Sequence, residues 1–276
     1  MNQRIGYLGP RGTNAEEVLV NNLKVAEENL VPYATVSEVI FAVAQDEVDQ
    51  GVVPIENSIE GSVNETLDIL TFSVDGVFIQ REMVVPIKHH LIARPGVEIK
   101  DISAIISHPQ ATAQCRSYLA QNLPQKPIIA ANSTAEAVKR VAEQDGTVAA
   151  IGTELAAKIY NLRILASDIE DYRDNQTRFV LVGKEMARPT GKDKTSVVAF
   201  IYENRPGSLL QILQELAFRY INLTKIQSRP TKKALGEYCF WIDMEGHIED
   251  EVIADALKCL RCKLRDVKVL GSYPRG

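Results

Sequence analysis

The feature that most constrains the fold is an alternation of short apolar runs with helical patterns over residues 1–185. Apolar runs such as 104–107 are separated by amphipathic stretches such as 134–143. Strands that alternate with helices are typical of βαβ units, so the pattern predicts an α/β fold with parallel sheets. A longer extended stretch at 82–93 predicts a strand that crosses between two lobes, and 167–176 predicts the return crossing.

A change of pattern marks a second domain. Residues 184–194 contain Pro189, Gly191 and several basic side chains, a composition typical of a linker. Beyond it the predicted elements follow the order strand, helix, strand, strand, helix, strand, which is the ferredoxin-like βαββαβ order. We therefore predict two domains: 1–185, with lobes at roughly 1–82 with 168–185 and at 83–167, and 194–276.

Composition excludes several classes of protein. The net charge of −5 argues against a nucleic-acid-binding domain, although it leaves an anionic small molecule open as a ligand. We see neither a secretion signal nor an apolar run of about 18 residues, so we expect a cytoplasmic protein without a membrane span. No cluster of His, Cys, Asp and Glu has the spacing of metal ligands, so we expect neither a metal nor another cofactor. Cys259 and Cys262 form a CxxC, interpreted as two ordinary helix cysteines, with a zinc or redox role as the alternative.

Several predicted helices begin with a small polar residue directly after a strand. Thr13, Ser62 and Ser133 are each followed three residues later by Glu, which is the capping-box pattern. The segment 107–109, Ser-His-Pro, likewise places a cap before a proline suited to the first helical turn. Helix starts gather at the carboxyl ends of strands in α/β sheets, and their free N–H groups attract anions. The layout therefore predicts a small anionic ligand, although every α/β protein needs such caps.

Seven short motifs stand in order along nearly the whole chain: Gly6-Tyr-Leu-Gly-Pro-Arg-Gly-Thr13, Val53-Pro-Ile-Glu-Asn-Ser-Ile-Glu-Gly-Ser62, Ser107-His-Pro-Gln-Ala-Thr-Ala-Gln-Cys115, Asn132-Ser-Thr-Ala-Glu-Ala137, Asp174-Asn-Gln-Thr-Arg-Phe179, Asn204-Arg-Pro-Gly-Ser-Leu-Leu210 and Gln227-Ser-Arg-Pro230. By resemblance they identify the chain as a member of the prephenate dehydratase family with a C-terminal ACT domain. The glycines of the first motif lack the dinucleotide-binding spacing, so we expect no nucleotide.

The resemblance implies two lobes folded like the type II periplasmic binding proteins, followed by a regulatory ACT domain. It implies conversion of prephenate to phenylpyruvate, water and carbon dioxide, with control by L-phenylalanine in a homodimer or homotetramer. No chorismate mutase segment precedes the first motif, so we expect a single activity. The chain departs from the family at Gln227, where Glu is usual, and at Asn14, where Phe is usual. The first change is expected to weaken effector binding and the second to alter packing.

The reaction expels hydroxide from the ring, and hydroxide leaves poorly unless a donor supplies a proton. The resemblance assigns this position to Thr177, as a link in proton transfer or as a residue that only orients the hydroxyl. It assigns Asn57, Ser107 and Gln114 to the catalytic site as neutral donors that hold the substrate without over-stabilising its ring carboxylate. Their structural alternatives are a turn asparagine, a helix cap and a surface glutamine.

The expected substrate-binding residues come from the same motifs. Arg178 is expected to form a bidentate pair with a substrate carboxylate, with an internal salt bridge to Asp171 or Asp174 as the alternative. The resemblance adds Phe179, Thr13 and Glu56 to the substrate-binding set. A carboxylate beside a dianionic substrate is unfavourable, so Glu56 is expected to bond backbone amides. His108 is expected to have a structural role at a helix start, with titration near neutral pH as the alternative.

The resemblance also places L-phenylalanine between the ACT domains of two subunits. The expected effector-binding residues are Asn204, Gly207, Ser208, Leu209, Gln227, Ser228 and Arg229. N–H groups at the start of a helix beginning at Ser208 would receive the carboxylate of the amino acid, and Leu209 would shape the pocket for its ring.

Two other functions stay open at this point. An arogenate dehydratase would catalyse the same reaction on the aminated substrate, and the sequence does not separate the two. A non-catalytic solute-binding protein would share the lobed fold, since a fold alone does not fix function. The Thr-Arg-Phe signature at 177–179 favours an enzyme.

Overall fold

A computed structural model describes residues 3–234 and 236–276 of the chain. Met1 and Asn2, which begin the predicted first domain, and Leu235 in the predicted second domain lie outside the described residues. The strands are β1 (Ile5–Leu8), β2 (Leu30–Tyr33), β3 (Gln50–Asn57), β4 (Gly61–Ser62), β5 (Phe78–Pro86), β6 (His90–Ala93), β7 (Ala104–Ser107), β8 (Ile128–Ala130), β9 (Val148–Gly152), β10 (Arg163–Ala166), β11 (Gln176–Gly183), β12 (Asp193–Phe200), β13 (Leu223–Pro230), β14 (Tyr238–Glu245) and β15 (Asp266–Pro274). The α-helices are α1 (Asn14–Asn21), α2 (Val36–Ala44), α3 (Asn64–Asp68), α4 (Pro109–Gln114), α5 (Arg116–Asn122), α6 (Thr134–Glu143), α7 (Glu154–Ile159), α8 (Ser208–Ala217) and α9 (Glu251–Lys263).

Helix α6 illustrates how the local sequence produces these elements. Ser133 caps the helix by accepting a hydrogen bond from the Glu136 N–H at 3.0 Å, as the capping-box pattern predicts. Val138 and Val141 are three residues apart and therefore lie on one helix face, which is buried. Removing that face from water in a cluster that includes Ile106 of β7 stabilises the helix on its sheet.

Two sheets make up most of the chain before β12. One has the strand order β2-β1-β3-β11-β5, with β4 paired to β3, and the other has the order β10-β6-β9-β7-β8. Strand β1 is parallel to β2, and β7 is parallel to both β8 and β9. The predicted α/β fold class is therefore confirmed.

The prediction of parallel sheets is wrong for β6, which is antiparallel to both β9 and β10. Strand β5 belongs to the other sheet, and only residues 87–89 separate it from β6, so β6 does not enter its own sheet through a strand-helix-strand unit. The apolar pattern also failed to predict β2 and β10, which are edge strands. Both are partly exposed, and β2 contains Pro32, which an edge strand tolerates although it lacks an N–H donor.

The chain divides into two units. The first comprises residues 1–39, 52–63 and 83–179, and the second comprises 40–51, 64–82 and 180–276. In the first unit, Leu91, Ile105 and Ile151 bring β6, β7 and β9 into one core cluster.

The second unit contains the predicted βαββαβ order. Its sheet has the order β13-β14-β12-β15, and every neighbouring pair is antiparallel. Ile212 of α8 and Leu257 of α9 pack with Val197 and Ile242 on one face of this sheet. The ferredoxin-like prediction is therefore confirmed.

Within the described ranges, we find no helix with the length and apolar content needed to cross a membrane.

Arg229 of β13 is a buried anchor within the second unit. Its Nε donates to the carboxylate of Asp68 at 3.1 Å, and its Nη1 donates to the side-chain oxygen of Asn64. Lys232 places its Nζ 2.7 Å from the other Asp68 oxygen. Burial by itself would raise the pKa of Asp68, but the hydrogen bonds from Lys232 and Arg229 outweigh burial and hold this pKa below its ordinary value.

This depressed pKa predicts a pH-dependent contribution to stability. Folding favours the ionised form of Asp68, so its stabilisation is complete above the unfolded pKa of about 3.9 and is lost as the pH falls through the lower folded value. We expect Asp68→Asn to lower the free energy of unfolding at pH 7, by an amount that shrinks below about pH 4. Urea unfolding of both proteins across this pH range measures the difference.

Asp75→Asn is the matched control in the same unit. Asp75 pairs with Lys268 at 2.8 Å, but its side chain is 96% exposed. Exposed pairs contribute about 0–1 kcal/mol, so this variant should stay close to the wild type. A destabilisation by Asp68→Asn that is the same at pH 7 and in acid would contradict the assignment.

Candidate active site

A cavity of about 580 Å³ lies in the first unit. Its wall is built from segments that follow β1, β3, β7 and β8, together with the start of β11. Helices α1, α4 and α6 begin at this wall, as expected at the carboxyl ends of strands in an α/β sheet. Polar and aromatic lining residues include Thr13, Asn57, His89, His108, Gln114, Asn132, Ser133, Asn175, Thr177 and Phe179.

Few charged groups line the cavity. Glu60 and Glu136 supply carboxylates, His89 and His108 supply imidazoles, and no lysine or arginine is among the described lining residues. Glu136 is paired with Arg140 on the next turn of α6. An anionic ligand would therefore be bound by neutral donors and by N–H groups of helix starts.

The loop between β1 and α1 requires glycine at position 12. Gly12 has φ +89°, and a Cβ there would lie 2.7 Å from the Cβ of Ala156. The Gly12 carbonyl accepts a hydrogen bond from the Thr153 hydroxyl at 2.7 Å. These contacts hold the first motif against α7 and place Thr13, the cap of α1, at the cavity wall.

Two of the predicted caps are wrong. Ser62 lies in β4, and α3 begins only at Asn64, two residues later. Helix α4 is capped by His108, whose Nδ1 accepts from the Gln110 N–H at 3.3 Å, as its expected structural role requires. Ser107 is fully buried at the end of β7, and its hydroxyl donates to the Ile151 carbonyl at 3.3 Å. It is not among the residues that line the cavity, so its expected contact with substrate does not follow from this geometry.

Asn57 and Thr177 meet at the cavity wall. The Asn57 Oδ1 accepts from the N–H groups of Ile59 at 2.9 Å and Glu60 at 3.0 Å, which fixes the orientation of the carboxamide. Its Nδ2 donates to the Thr177 hydroxyl oxygen at 2.8 Å. Among residues 3–234 and 236–276, none accepts a hydrogen bond from Thr177. The Thr177 proton is therefore free for an acceptor inside the cavity.

Gln114 is buried at the same wall, so the alternative of a surface glutamine is wrong. Its Oε1 accepts from the Asn175 Nδ2 at 3.1 Å and lies 2.9 Å from the His89 Nε2. Asn175 in turn accepts from the Asn57 Nδ2 at 2.9 Å. A single hydrogen-bonded series therefore connects three of the cavity's amide side chains.

Sequence reasoning missed His89 and Asn175 as site residues. Asn175 lies inside the fifth motif, and its polar side chain beside Thr177 was a usable signal. His89 stands beside His90 between apolar runs in the predicted crossing strand, where the histidines give no such signal.

Arg178 and Glu56 lie outside the cavity lining, whereas Phe179 lies in it. Successive side chains of a strand point to opposite faces, so Arg178 points away from the face that carries Thr177 and Phe179. Its Nη1 lies 3.6 Å from a carboxylate oxygen of Glu56. The alternative of an internal salt bridge therefore describes Arg178, with Glu56 as the partner in place of Asp171 or Asp174.

The expected effector residues divide between two faces of β13. Ser228 is opposite Phe240 on the face that α8 and α9 cover, and Leu209 packs against the same core cluster. Gln227 and Arg229 alternate with Ser228 and therefore lie on the other face. Because Asp68 and Asn64 bind the Arg229 guanidinium, a direct contact with phenylalanine is not expected for Arg229.

The start of α8 has the predicted position. Gly207 occupies the cap with φ +89°, and the helix begins at Ser208. The Ser208 hydroxyl donates to the Glu203 carbonyl at 3.0 Å, and Asn204 is exposed in the same turn.

Across the described part of the chain, no three His, Cys, Asp or Glu side chains are grouped as ligands for a metal ion.

The two parts of the chain match two known families. Residues 5–187 match the prephenate dehydratase family, and residues 196–261 match the ACT domain. The protein is thus an α/β protein with an ACT domain, and it belongs to the prephenate dehydratase family.

Relatives support the assignment over the full length. A prephenate dehydratase of Methanocaldococcus jannaschii is 42% identical over 279 residues, covering 99% of both chains. The solved structure of an Arthrobacter aurescens prephenate dehydratase in complex with L-Phe is 40% identical, with a TM-score of 0.91 over 99% of this chain and 90% of that one. A solved structure described as a novel type of quorum-quenching acylase, GqqA, is 27% identical, with a TM-score of 0.89 over 99% and 98% of the chains.

Proposed function

We propose that this protein is a prephenate dehydratase, which converts prephenate to phenylpyruvate, water and carbon dioxide in L-phenylalanine biosynthesis. The observation that carries the proposal is the Thr177 hydroxyl, held by Asn57 with its proton free toward a cavity without lining lysine or arginine. Family membership and the full-length identity to named prephenate dehydratases support it. The direct test is to incubate the purified protein with prephenate and measure phenylpyruvate by its absorbance in alkali.

The proposed mechanism follows the movement of electrons. The bond between the ring and its carboxylate breaks, the electron pair enters the ring, and the ring expels its hydroxyl group as aromatic bonding forms. Thr177 donates a hydrogen bond to the departing oxygen and can pass on a proton that solvent replaces, so that water leaves. The consumed proton balances the carboxylate that departs as neutral carbon dioxide.

The described lining contains no lysine or arginine, which suits the decarboxylation. Negative charge leaves the ring carboxylate in the transition state, so a cation at that carboxylate would stabilise the ground state more than the transition state. Asn57 and Gln114 offer amide donors without a formal charge. Thr13 and Phe179 are proposed to contact the substrate from the same wall.

For Glu56 and Arg178 we propose support of this wall. Glu56 precedes Asn57 in β3, and Arg178 follows Thr177 in β11. Their ion pair therefore joins the two strands beside the Asn57–Thr177 hydrogen bond. Ser107 has a similar supporting position, since its hydroxyl ties the end of β7 to β9.

Regulation by L-phenylalanine is proposed for the ACT domain. The A. aurescens relative was solved with L-Phe bound. Because Ser228 and Gln227 lie on opposite faces of an edge strand, residues from two subunits would complete the effector site in a homodimer or homotetramer. Binding must be reciprocal: if phenylalanine weakens prephenate binding, prephenate weakens phenylalanine binding by the same factor.

The domain boundaries and the compartment are also proposals. The matched ranges 5–187 and 196–261 support a catalytic domain over 1–185 and an ACT domain over 194–276. We propose a cytoplasmic enzyme that uses no metal and no cofactor and binds neither membranes nor nucleic acids. Comparing turnover of prephenate and arogenate decides between the two dehydratase activities.

Thr177→Ala is expected to lower kcat by about 10²- to 10⁴-fold, because the departing oxygen loses its donor. Thr177→Ser should keep much of the activity, since it keeps the hydroxyl that accepts from Asn57. Steady-state kinetics of both variants measure the effect, with circular dichroism melts to show that each is folded. Near-normal kcat in a folded Thr177→Ala protein would refute the assignment.

Arg178→Lys distinguishes support of the wall from direct substrate binding. A lysine keeps the positive charge opposite Glu56, so we expect only a small change in KM. A bidentate contact with substrate would instead be lost, and KM would rise by about tenfold or more. Arg178→Met, which removes the positive charge beside Glu56, should lower kcat more than Arg178→Lys does.

Gln227→Glu is expected to tighten phenylalanine binding by about two- to fivefold, the scale of a partly exposed ion pair with the ammonium group. Titration calorimetry on the full-length protein measures the Kd. Gln214→Glu adds the same charge to the exposed surface of α8 and serves as the control. No binding by either the wild type or Gln227→Glu at millimolar phenylalanine would mean that the ACT domain is not an effector domain.

A further inference from the structure

The orientation of three linked amide side chains of the cavity wall, Asn57, Asn175 and Gln114, follows from one fixed group. The Asn57 Oδ1 accepts from two backbone N–H groups, so the nitrogen of that carboxamide must face Asn175. Asn175 then accepts through Oδ1 and donates through Nδ2 to the Gln114 Oε1. The atom of Gln114 that lies 2.9 Å from the His89 Nε2 is therefore an oxygen, and His89 must be the donor.

This assignment leaves one donor group unused. With its oxygen held by Asn175 and His89, the Gln114 carboxamide turns its NH₂ group away from both. No residue in 3–234 or 236–276 accepts from that NH₂ group, and Gln114 lines the cavity. The NH₂ group is thus available to an oxygen atom of the substrate.

We propose that His89 is a positioning residue for the reaction, whose Nε2–H holds the Gln114 carboxamide with its NH₂ group toward the substrate. The inference rests on the proposed function. It gives His89 no part in proton transfer.

The surroundings of His89 fit a fixed neutral donor. The side chain is only 4% exposed, and burial lowers its pKa, although the hydrogen bond to Gln114 and the charge of Glu170 act in the opposite direction. The His89 N–H donates to the Glu170 carboxylate at 3.0 Å, and the His89 carbonyl accepts from the Ile169 N–H at 2.9 Å. These contacts fix the backbone at His89. The nearby His90 is the other titratable group that acts on its pKa, and it lowers it.

His90 provides a matched control. It is the next residue, it is also buried, and it is absent from the cavity lining. Its Nδ1 accepts from the Asp168 N–H at 3.4 Å. Replacing it tests the general cost of losing a buried histidine at this point of the chain.

The experiment compares His89→Leu, His89→Gln and His90→Leu in steady-state assays with prephenate. Loss of a donor to a buried carbonyl oxygen predicts a fall in kcat of about 10- to 100-fold for His89→Leu, with a smaller change in KM. His89→Gln can place an amide donor near the former Nε2 and should recover much of kcat with the wild-type pH profile. His90→Leu should stay close to the wild type.

A double-mutant cycle with Gln114→Ala tests whether His89 acts through Gln114. In the Gln114→Ala background, His89→Leu should cause little further loss, because the group that it orients is gone. If His89→Leu lowered kcat by the same factor in the wild-type and Gln114→Ala backgrounds, the proposal would be overturned. A changed pH profile in His89→Gln would also overturn it, since that result assigns proton transfer to the ring.

Nitrogen-15 NMR of the His89 ring separates this proposal from the proposed function. The network requires the Nε2–H tautomer near neutral pH, whatever the substrate is. The other tautomer would refute the positioning role. Absence of prephenate turnover by a wild-type protein that shows the Nε2–H tautomer would instead refute the proposed function. If His89→Leu fails to fold, the spectrum of the wild-type protein still tests the positioning role.

Discussion

The orientation of the Asn57 carboxamide is the constraint on which the candidate site depends. Two backbone N–H groups of its own loop bind its oxygen, so its nitrogen has only one direction available. That nitrogen holds the Thr177 hydroxyl oxygen and sets the donor direction along Asn175 and Gln114. A reversed amide at any point would place two donors or two acceptors against each other inside a buried wall, which costs more than an ordinary lost hydrogen bond.

The alternation of side chains along β11 keeps the Arg178 guanidinium away from the cavity. Thr177 and Phe179 face the cavity, and Arg178 between them pairs with Glu56 elsewhere. The strands thus gain an ion pair without bringing a guanidinium to the ring carboxylate of the proposed substrate. A described lining without lysine or arginine is consistent with a reaction in which that carboxylate loses its charge.

Side chains also alternate between two faces along β13, and this alternation divides the expected effector residues of the second unit. Leu209 and Ser228 lie on the helix-covered side of the sheet, while Gln227 and Arg229 lie on the other side. The family resemblance had suggested one effector pocket for all of them. Arg229 forms an ion pair with Asp68. A buried guanidinium is stable only with a charged or hydrogen-bonding partner.

The sequence by itself determined the α/β class, the βαββαβ order and the motifs, since apolar periodicity and helix caps are local properties of the chain. It also pointed to Thr177, Asn57 and Gln114, which the fold places at one cavity. Only the tertiary structure decided that β6 runs antiparallel, that Arg178 faces away from the cavity, and that His89 faces Gln114. These outcomes depend on strand direction, on which face of a strand meets a neighbour, and on contacts between residues 25 or more positions apart, none of which a local pattern contains.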